Sequence, residues 1–122
     1  MCGIVGIYFK NKKLHNKLGK YLSGMLDNMS SRGPDSAGFA VYNNDSKKYF
    51  KYSLCINNKL VLKNFEFDIQ KKFKDVTIKS VSDHLVIQTL SSPKIVIPYI
   101  KKNYQNILIV GYGKCIEIFK QV

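Results

Sequence analysis

A cysteine stands at position 2, directly behind the start methionine, in the opening run Met1-Cys2-Gly3-Ile4-Val5-Gly6-Ile7-Tyr8-Phe9. Methionine aminopeptidases remove a start Met when the next residue is small, and Cys is small. The product would carry a thiol and a free α-amine on one residue. A free thiol titrates near ~8.5 and an α-amine near ~7.7–8.0, so proton transfer between them is accessible close to neutral pH. An N-terminal cysteine is therefore a nucleophile with its own base attached, by the logic of N-terminal threonine nucleophiles. Such a site needs no His, which suits a chain whose two His, His15 and His84, show no pairing with a Cys in sequence. The competing reading is a small core residue at the head of a buried strand.

The second stretch with chemistry is Ser31-Arg32-Gly33-Pro34-Asp35-Ser36-Ala37-Gly38. It reads first as a helix stop, with Gly33 as a left-handed cap and Pro34 unable to continue the helix. It also gathers an Arg, an Asp and a Ser within five residues, more than a stop requires. Arg32 is the lone Arg beside 19 Lys. It is compatible with a role that needs a rigid forked donor, which Lys cannot supply. A turn here could present the Gly33 backbone and the Arg32 side chain to the N-terminal end of the chain.

These residues need elements to hold them. Gly3 to Phe9 reads as a strand, apolar on both faces and therefore buried. Leu14, Leu18, Tyr21, Leu22, Met25, Leu26 and Met29 recur at helical spacing and predict a helix over 14–30. Gly19 and Gly24 each weaken it by about 1 kcal/mol. Ala37 to Tyr42 and Lys47 to Ser53 read as two strands joined at Asn43-Asn44-Asp45, a hairpin. Alternating Phe65, Phe67 and Ile69, then Val76 and Ile78, predict further strands. His84 to Leu90 and Lys94 to Ile97 read as β-branched runs interrupted by Pro93 and Pro98. A short helix fits 99–106 and a short buried strand fits 107–110. Gly111 and Gly113 mark a turn with no phosphate-binding fingerprint behind them. Cys115 to Val122 is amphipathic. The expected class is α+β, with a helix against one sheet, in a single domain over 1–122.

Composition removes several functions. A hydrophobic content of 45% with 8 Tyr and 7 Phe supports a real core and argues against disorder. The formal charge of +12 invites a nucleic-acid reading. However, the cations are almost all Lys, spread from Lys10 to Lys120 without a dense block, so a solvated Lys-rich surface is favoured and nucleic acid is not an expected partner. Three Cys with no CxxC, and two His without ligand spacing, give neither a disulfide framework nor a structural zinc site; no metal and no cofactor is expected. The apolar start is too short for a secretory segment and no run approaches the ~20 apolar residues of a membrane span. Gly3 rather than Gly at position 2 excludes myristoylation. A cytoplasmic location without a membrane partner is the expectation.

Taken together, Met1-Cys2-Gly3-Ile4-Val5-Gly6 and Arg32-Gly33-Pro34-Asp35-Ser36-Ala37-Gly38 resemble the two opening motifs of the class II glutamine amidotransferases, an N-terminal-nucleophile family. Their order and their separation by one helix also match. The likeness is closer to stand-alone subunits of the glutamate synthase type, including the A subunit of N-methylglutamate synthase. There the helix resembles Leu18-Gly19 through Leu22-Ser23-Gly24-Met25-Leu26, and a later stretch resembles Ile116-Glu117-Ile118-Phe119-Lys120-Gln121-Val122.

The resemblance implies a four-layer α/β/β/α sandwich, here incomplete. It implies glutamine as substrate and Cys2 as the nucleophile that forms a thioester and releases ammonia. Arg32 and Gly33 would position the N-terminus, and Asp35 and Ser36 would hold the loop. The family also carries a later Gly-His-Thr-Arg motif for the glutamine α-carboxylate, an Asn-Gly pair for the oxyanion and an Asp for the α-amine. None of these occurs here; Arg32 is already placed, and His84 is followed by Leu85. The expectation is a truncated or split chain that is not competent alone and needs the remainder of its domain, or synthase subunits, as partner. The alternative is a non-catalytic fragment or interaction module of a glutamate-synthase-like complex. Half a sandwich would expose a sheet face and an edge, so the isolated chain is expected to be marginal or to aggregate.

Overall fold

A computed structural model describes residues 2–43 and 48–121. It forms two compact units, one ending at Ala37 and the other beginning at Gly38. The turn expected at Asn43-Asn44-Asp45 and the strand start expected at Lys47 fall largely outside the described residues.

In the first unit the expected helix is present. A 3₁₀ segment, Lys12–Lys17, runs directly into α1, Leu18–Met29. The Asn11 side chain caps its start, accepting the Lys13 N–H at 3.0 Å. The buried strand expected over 3–9 is not formed: among the described residues the segment has no strand partner. It lies along α1 in the opposite direction. The Phe9 and Tyr21 rings meet edge to face at 5.6 Å, and a Cβ on Gly3 would stand 2.4 Å from Met29 Cε. Only one of its faces is covered: Val5, Ile7 and Phe9 are half-buried, whereas Ile4 is 92% and Tyr8 84% exposed. The helix stop also differs from expectation, because no described glycine has a positive φ. Instead Ser30 closes the helix, with N–H and Oγ both donating to the Asp27 carbonyl, and the Arg32 N–H donates to the Met29 carbonyl.

The second unit holds most of the regular structure, and it is α+β. Its strands are β1 (Gly38–Tyr42), β2 (Phe50–Ile56), β3 (Thr77–Val81), β4 (His84–Thr89), β5 (Ile107–Gly113) and β6 (Ile116–Lys120). Its helices are α2 (Lys59–Lys72) and α3 (Pro93–Asn103). Strands β3-β4-β2-β5 form an antiparallel sheet in that order, and β1 pairs antiparallel with β6. The expected hairpin is therefore corrected: β2 is flanked by β4 and β5, and β1 finds its partner at the far end of the chain. Alternation alone cannot choose between partners, since either pairing keeps the same faces.

Two expected strands are helices. Phe65 and Ile69 are four apart as well as on one strand face, so period two and helical period coincide there. In α2 both are fully buried, while Phe67 points away, 62% exposed and covered by the Lys71 ammonium at 4.2 Å. Asn58 caps α2 by accepting the Leu60 N–H at 2.9 Å. In α3, Pro93 occupies the first turn, where its missing N–H costs nothing. Val96 and Ile100 are buried one turn apart, and Pro98 lies on the exposed side.

Alternation in the sheet builds three layers. Tyr52, Leu54 and Ile56 of β2, with Leu85 and Ile87 of β4, face Phe65, Ile69, Val96 and Ile100 of the helices. Lys51, Ser53, Cys55 and His84 point to the opposite face, where β6 crosses. The Ile118 N–H donates to Ser53 Oγ at 2.8 Å, and Glu117 pairs with Lys51 at 3.3 Å. Gly111 leaves room for the Ile118 side chain of β6: a Cβ there would lie 2.4 Å from Ile118 Cδ1, which would have to rotate away. Helices, four-stranded sheet and β1–β6 pair thus stack in that order. Among the described residues, no helix is long and apolar enough to cross a membrane.

One carboxylate ties the two helices. Asp68 Oδ2 accepts the Tyr104 hydroxyl at 2.5 Å and the Tyr99 hydroxyl at 2.6 Å. These bonds, with Lys72 nearby, hold the Asp68 carboxyl below its ordinary range. A carboxyl depressed by folding contributes stability that is complete above its unfolded value of ~3.9 and is lost as pH falls through the folded value. Urea midpoints measured across that acid window should therefore fall less steeply for Asp68→Asn than for the native chain. Equal slopes would remove this role.

Candidate functional site

The two motif stretches meet in the first unit. Cys2 carries an exposed free thiol. The backbone beside it packs on the Arg32-Gly33 turn: a Cβ on Gly3 would sit 3.5 Å from Arg32 Cβ, and a Cβ on Gly33 would sit 4.0 Å from the Gly3 nitrogen. Residue 3 thus fits between Met29 and Arg32 only without a side chain, unless Met29 moves. Asp35 and Ser36 follow on the exposed stretch after Pro34. Among the described residues, neither their side chains nor the Arg32 guanidinium has a hydrogen-bond or ion-pair partner. The fold brings the Cys2-Gly3 end to Arg32 and Gly33, and it leaves Asp35 and Ser36 at the surface.

A second cluster of reactive side chains lies in the other unit, and the sequence reading missed it. Cys55 of β2 and His84 of β4 stand directly opposite in the antiparallel register, so both point to the same face. Asp83 precedes His84 in the tight β3–β4 turn, where Ser82 takes a φ of 56°. One ligand atom from each of the three lies within 4.8 Å of the others. Cys55 is 1% exposed, and its thiol proton has two acceptors in reach, Asn57 Oδ1 at 3.7 Å and Asp83 Oδ2 at 3.8 Å.

His84 Nε2 accepts the Lys120 N–H at 3.2 Å, so in the neutral ring Nδ1 carries the proton and donates to Asp83 Oδ1 at 2.7 Å. That bond holds the Asp83 carboxyl below its ordinary value, and burial with the Asp83 charge pushes the Cys55 thiol up. A raised thiol is a poor nucleophile near neutral pH. A cleft of about 600 Å³ adjoins the cluster, lined by Asp83 and His84 with Lys59, Lys63, Ser80 and Ser82. The sequence signal was one Cys and one His, 29 positions apart on apolar stretches; the strand register joins them.

No family model matches the chain, and no solved structure does. Two curated proteins match along its whole length. One, named glutamine amidotransferase-like protein GlxB, from Rhizobium meliloti, is 32% identical, and the match takes in 41% of that protein. The other, from Methanothermobacter thermautotrophicus, is provisionally named a glutamine amidotransferase; it is 31% identical, with 43% of its length matched. The chain thus spans about two fifths of the length of these relatives. These relationships support a kinship with the glutamine amidotransferases in general.

Proposed function

We propose that residues 1–122 form the N-terminal, nucleophile-bearing part of a class II glutamine amidotransferase domain of the glutamate synthase type, with Cys2 as the attacking residue after removal of Met1. The observation that carries this is the packing of Gly3 on Arg32 and Gly33, which joins the two motif stretches at the Cys2 end. The exposure of the Cys2 thiol and the names of the two relatives support it. The helix–sheet–sheet stack of residues 38–121 is compatible with an α/β/β/α sandwich of the N-terminal-nucleophile type.

In this reading the Cys2 α-amine takes the thiol proton, and sulfur attacks the side-chain carbonyl of glutamine. The tetrahedral intermediate collapses to a thioester as ammonia leaves, and water then releases glutamate. Arg32 and Gly33 hold the N-terminal backbone in line, while Asp35 and Ser36, whose side chains are unbonded among the described residues, hold the loop only when the completing segment packs on it. Oriented donors at a developing oxyanion are worth ~2.7–4 kcal/mol each. The motifs that supply them in the class, and the clamp for the α-carboxylate, are absent from these residues. Turnover therefore requires a further polypeptide segment or subunit.

The intact mass of the purified chain should lack Met1, and a diazoketone analogue of glutamine should attach to Cys2 in preference to Cys55 and Cys115 once the completing segment is supplied. A retained Met1, or label on all three thiols alike, would refute the assignment.

A further inference from the structure

We infer that Cys55, Asp83 and His84 form a binding site for one zinc-class divalent metal ion, coordinated through Sγ, a carboxylate oxygen and Nδ1. This site is separate from the Cys2 chemistry and does not depend on it. Three donors from two strands and a turn converge within 4.8 Å. Around a tetrahedral ion with bonds of about 2.0–2.3 Å, ligand atoms stand roughly 3.3–3.6 Å apart. The present spacings, 3.8 Å from Sγ to Asp83 Oδ2 and 2.7 Å from Nδ1 to Asp83 Oδ1, bracket that range. Small side-chain rotations would close the difference.

The donor set selects the ion. A thiolate with an imidazole and one carboxylate suits a borderline-soft cation such as Zn²⁺ or Co²⁺ and disfavours Mg²⁺ and Ca²⁺, which require oxygen shells. Cys55 is buried whereas the Asp83 side chain is 53% exposed, so an ion would enter from the Asp83 side, where the cleft lies. Three protein donors leave a tetrahedral ion one further ligand. Lys59 and Lys63 in the cleft wall favour an anion for that place.

The proton balance makes the inference specific. Binding forms a metal–sulfur bond and breaks the S–H bond, releasing that proton to solvent. It also needs the Nδ1 lone pair, so the ring proton moves to Nε2. There it faces the Lys120 N–H, and the 3.2 Å hydrogen bond between them is lost. Metal binding and the tie from β6 to His84 are therefore mutually exclusive.

The test is a Co²⁺ titration of the full chain. One equivalent should produce a thiolate-to-cobalt charge-transfer band, displaced by Zn²⁺, and should speed amide exchange at Lys120. Cys55→Ser should abolish the band. Asp83→Ala, at an exposed turn position, should weaken binding at least ten-fold with the far-ultraviolet circular dichroism unchanged. Cys2→Ser and Cys115→Ser should leave the band intact. No band at saturating Co²⁺, a band that survives Cys55→Ser or follows Cys2, unchanged affinity in Asp83→Ala, or unchanged exchange at Lys120 overturns the proposal.

Discussion

Alanine at Cys2 is expected to lower glutamine hydrolysis by at least about 1,000-fold, because a reaction that proceeds through a covalent intermediate loses most of its rate with its nucleophile. The suitable protein is a chimera joining residues 1–122 to the part of the Rhizobium relative that the match leaves uncovered, since the match takes in 41% of that protein. Ammonia release is the measurement. Alanine at Cys115, a half-buried thiol, should leave the rate little changed. Alanine at Cys55, in the separate β2–β4 cluster, should also retain most activity. Three cysteines with different exposures make this a discriminating set: loss confined to Cys2 supports the N-terminal mechanism, and loss confined to Cys55 would move the chemistry to the Asp83–His84 cluster. A chimera as active with Cys2→Ala as without it would end the nucleophile reading.

The parts of this molecule legible from sequence were those with one dominant local signal. The helix over Leu18–Met29 was read from its apolar stripe and polar flanks, β3 from the alternation of Val76 and Ile78, β4 from an apolar β-branched run, and β1 from the apolar stretch that follows the helix stop. Readings failed where a pattern served two structures. Phe65 and Ile69 satisfy both a strand face and a helix face, and only Asn58 as cap and the length of α2 decide between them. Lys94 to Ile97 is β-branched, yet Pro93 in the first turn and buried Val96 and Ile100 make it helical. Long-range pairing was invisible: nothing local in Gly38–Tyr42 states that its partner is Ile116–Lys120.

The candidate sites divide in the same way. Cys2 and the Arg32-Gly33 turn are contiguous motifs and could be named at once. The packing of Gly3 between Met29 and Arg32 depends on the course of the chain along α1. Cys55, Asp83 and His84 come from two strands and a turn, and only the register of β2 against β4 assembles them. A sequence search for ligand spacing finds His or Cys pairs on one element; it has no purchase on a cross-strand pair.

Glu117→Gln is expected to destabilise the second unit by about 3–4 kcal/mol, read as a lower urea midpoint at an unchanged slope. Glu117 of β6 reaches across the sheet face to Lys51 of β2 at 3.3 Å and to Lys79 of β3 at 2.8 Å. Lys51 and Glu117 side chains are 6% and 13% exposed, whereas Lys79 is 54% exposed. Burial works to raise the Glu117 carboxyl, but the Lys79 and Lys51 ammonium groups outweigh it and hold it below its ordinary value. Its contribution is therefore complete above the unfolded value of ~4.3 and fades as pH falls through the folded value.

Removing the carboxylate charge leaves the Lys51 ammonium buried without a counter-ion, which is the costly half of a broken buried pair. Lys79→Ala should cost less than about 1 kcal/mol, because that ammonium is half in water and loses only a screened contact. The double variant Lys51→Met with Glu117→Leu should recover most of the loss, since no charge is then stranded. If Glu117→Gln costs no more than Lys79→Ala, the ion pair is not what anchors β6. The anchoring matters for the site as well as for the fold. Glu117, Ile118 and Lys120 each bond β6 to the sheet, and the last of them bonds His84 Nε2. A strand loosened at Glu117 would release that nitrogen. Glu117→Gln should therefore also tighten Co²⁺ binding at Cys55, Asp83 and His84, tying the strand-to-sheet contact to the metal chemistry beneath it.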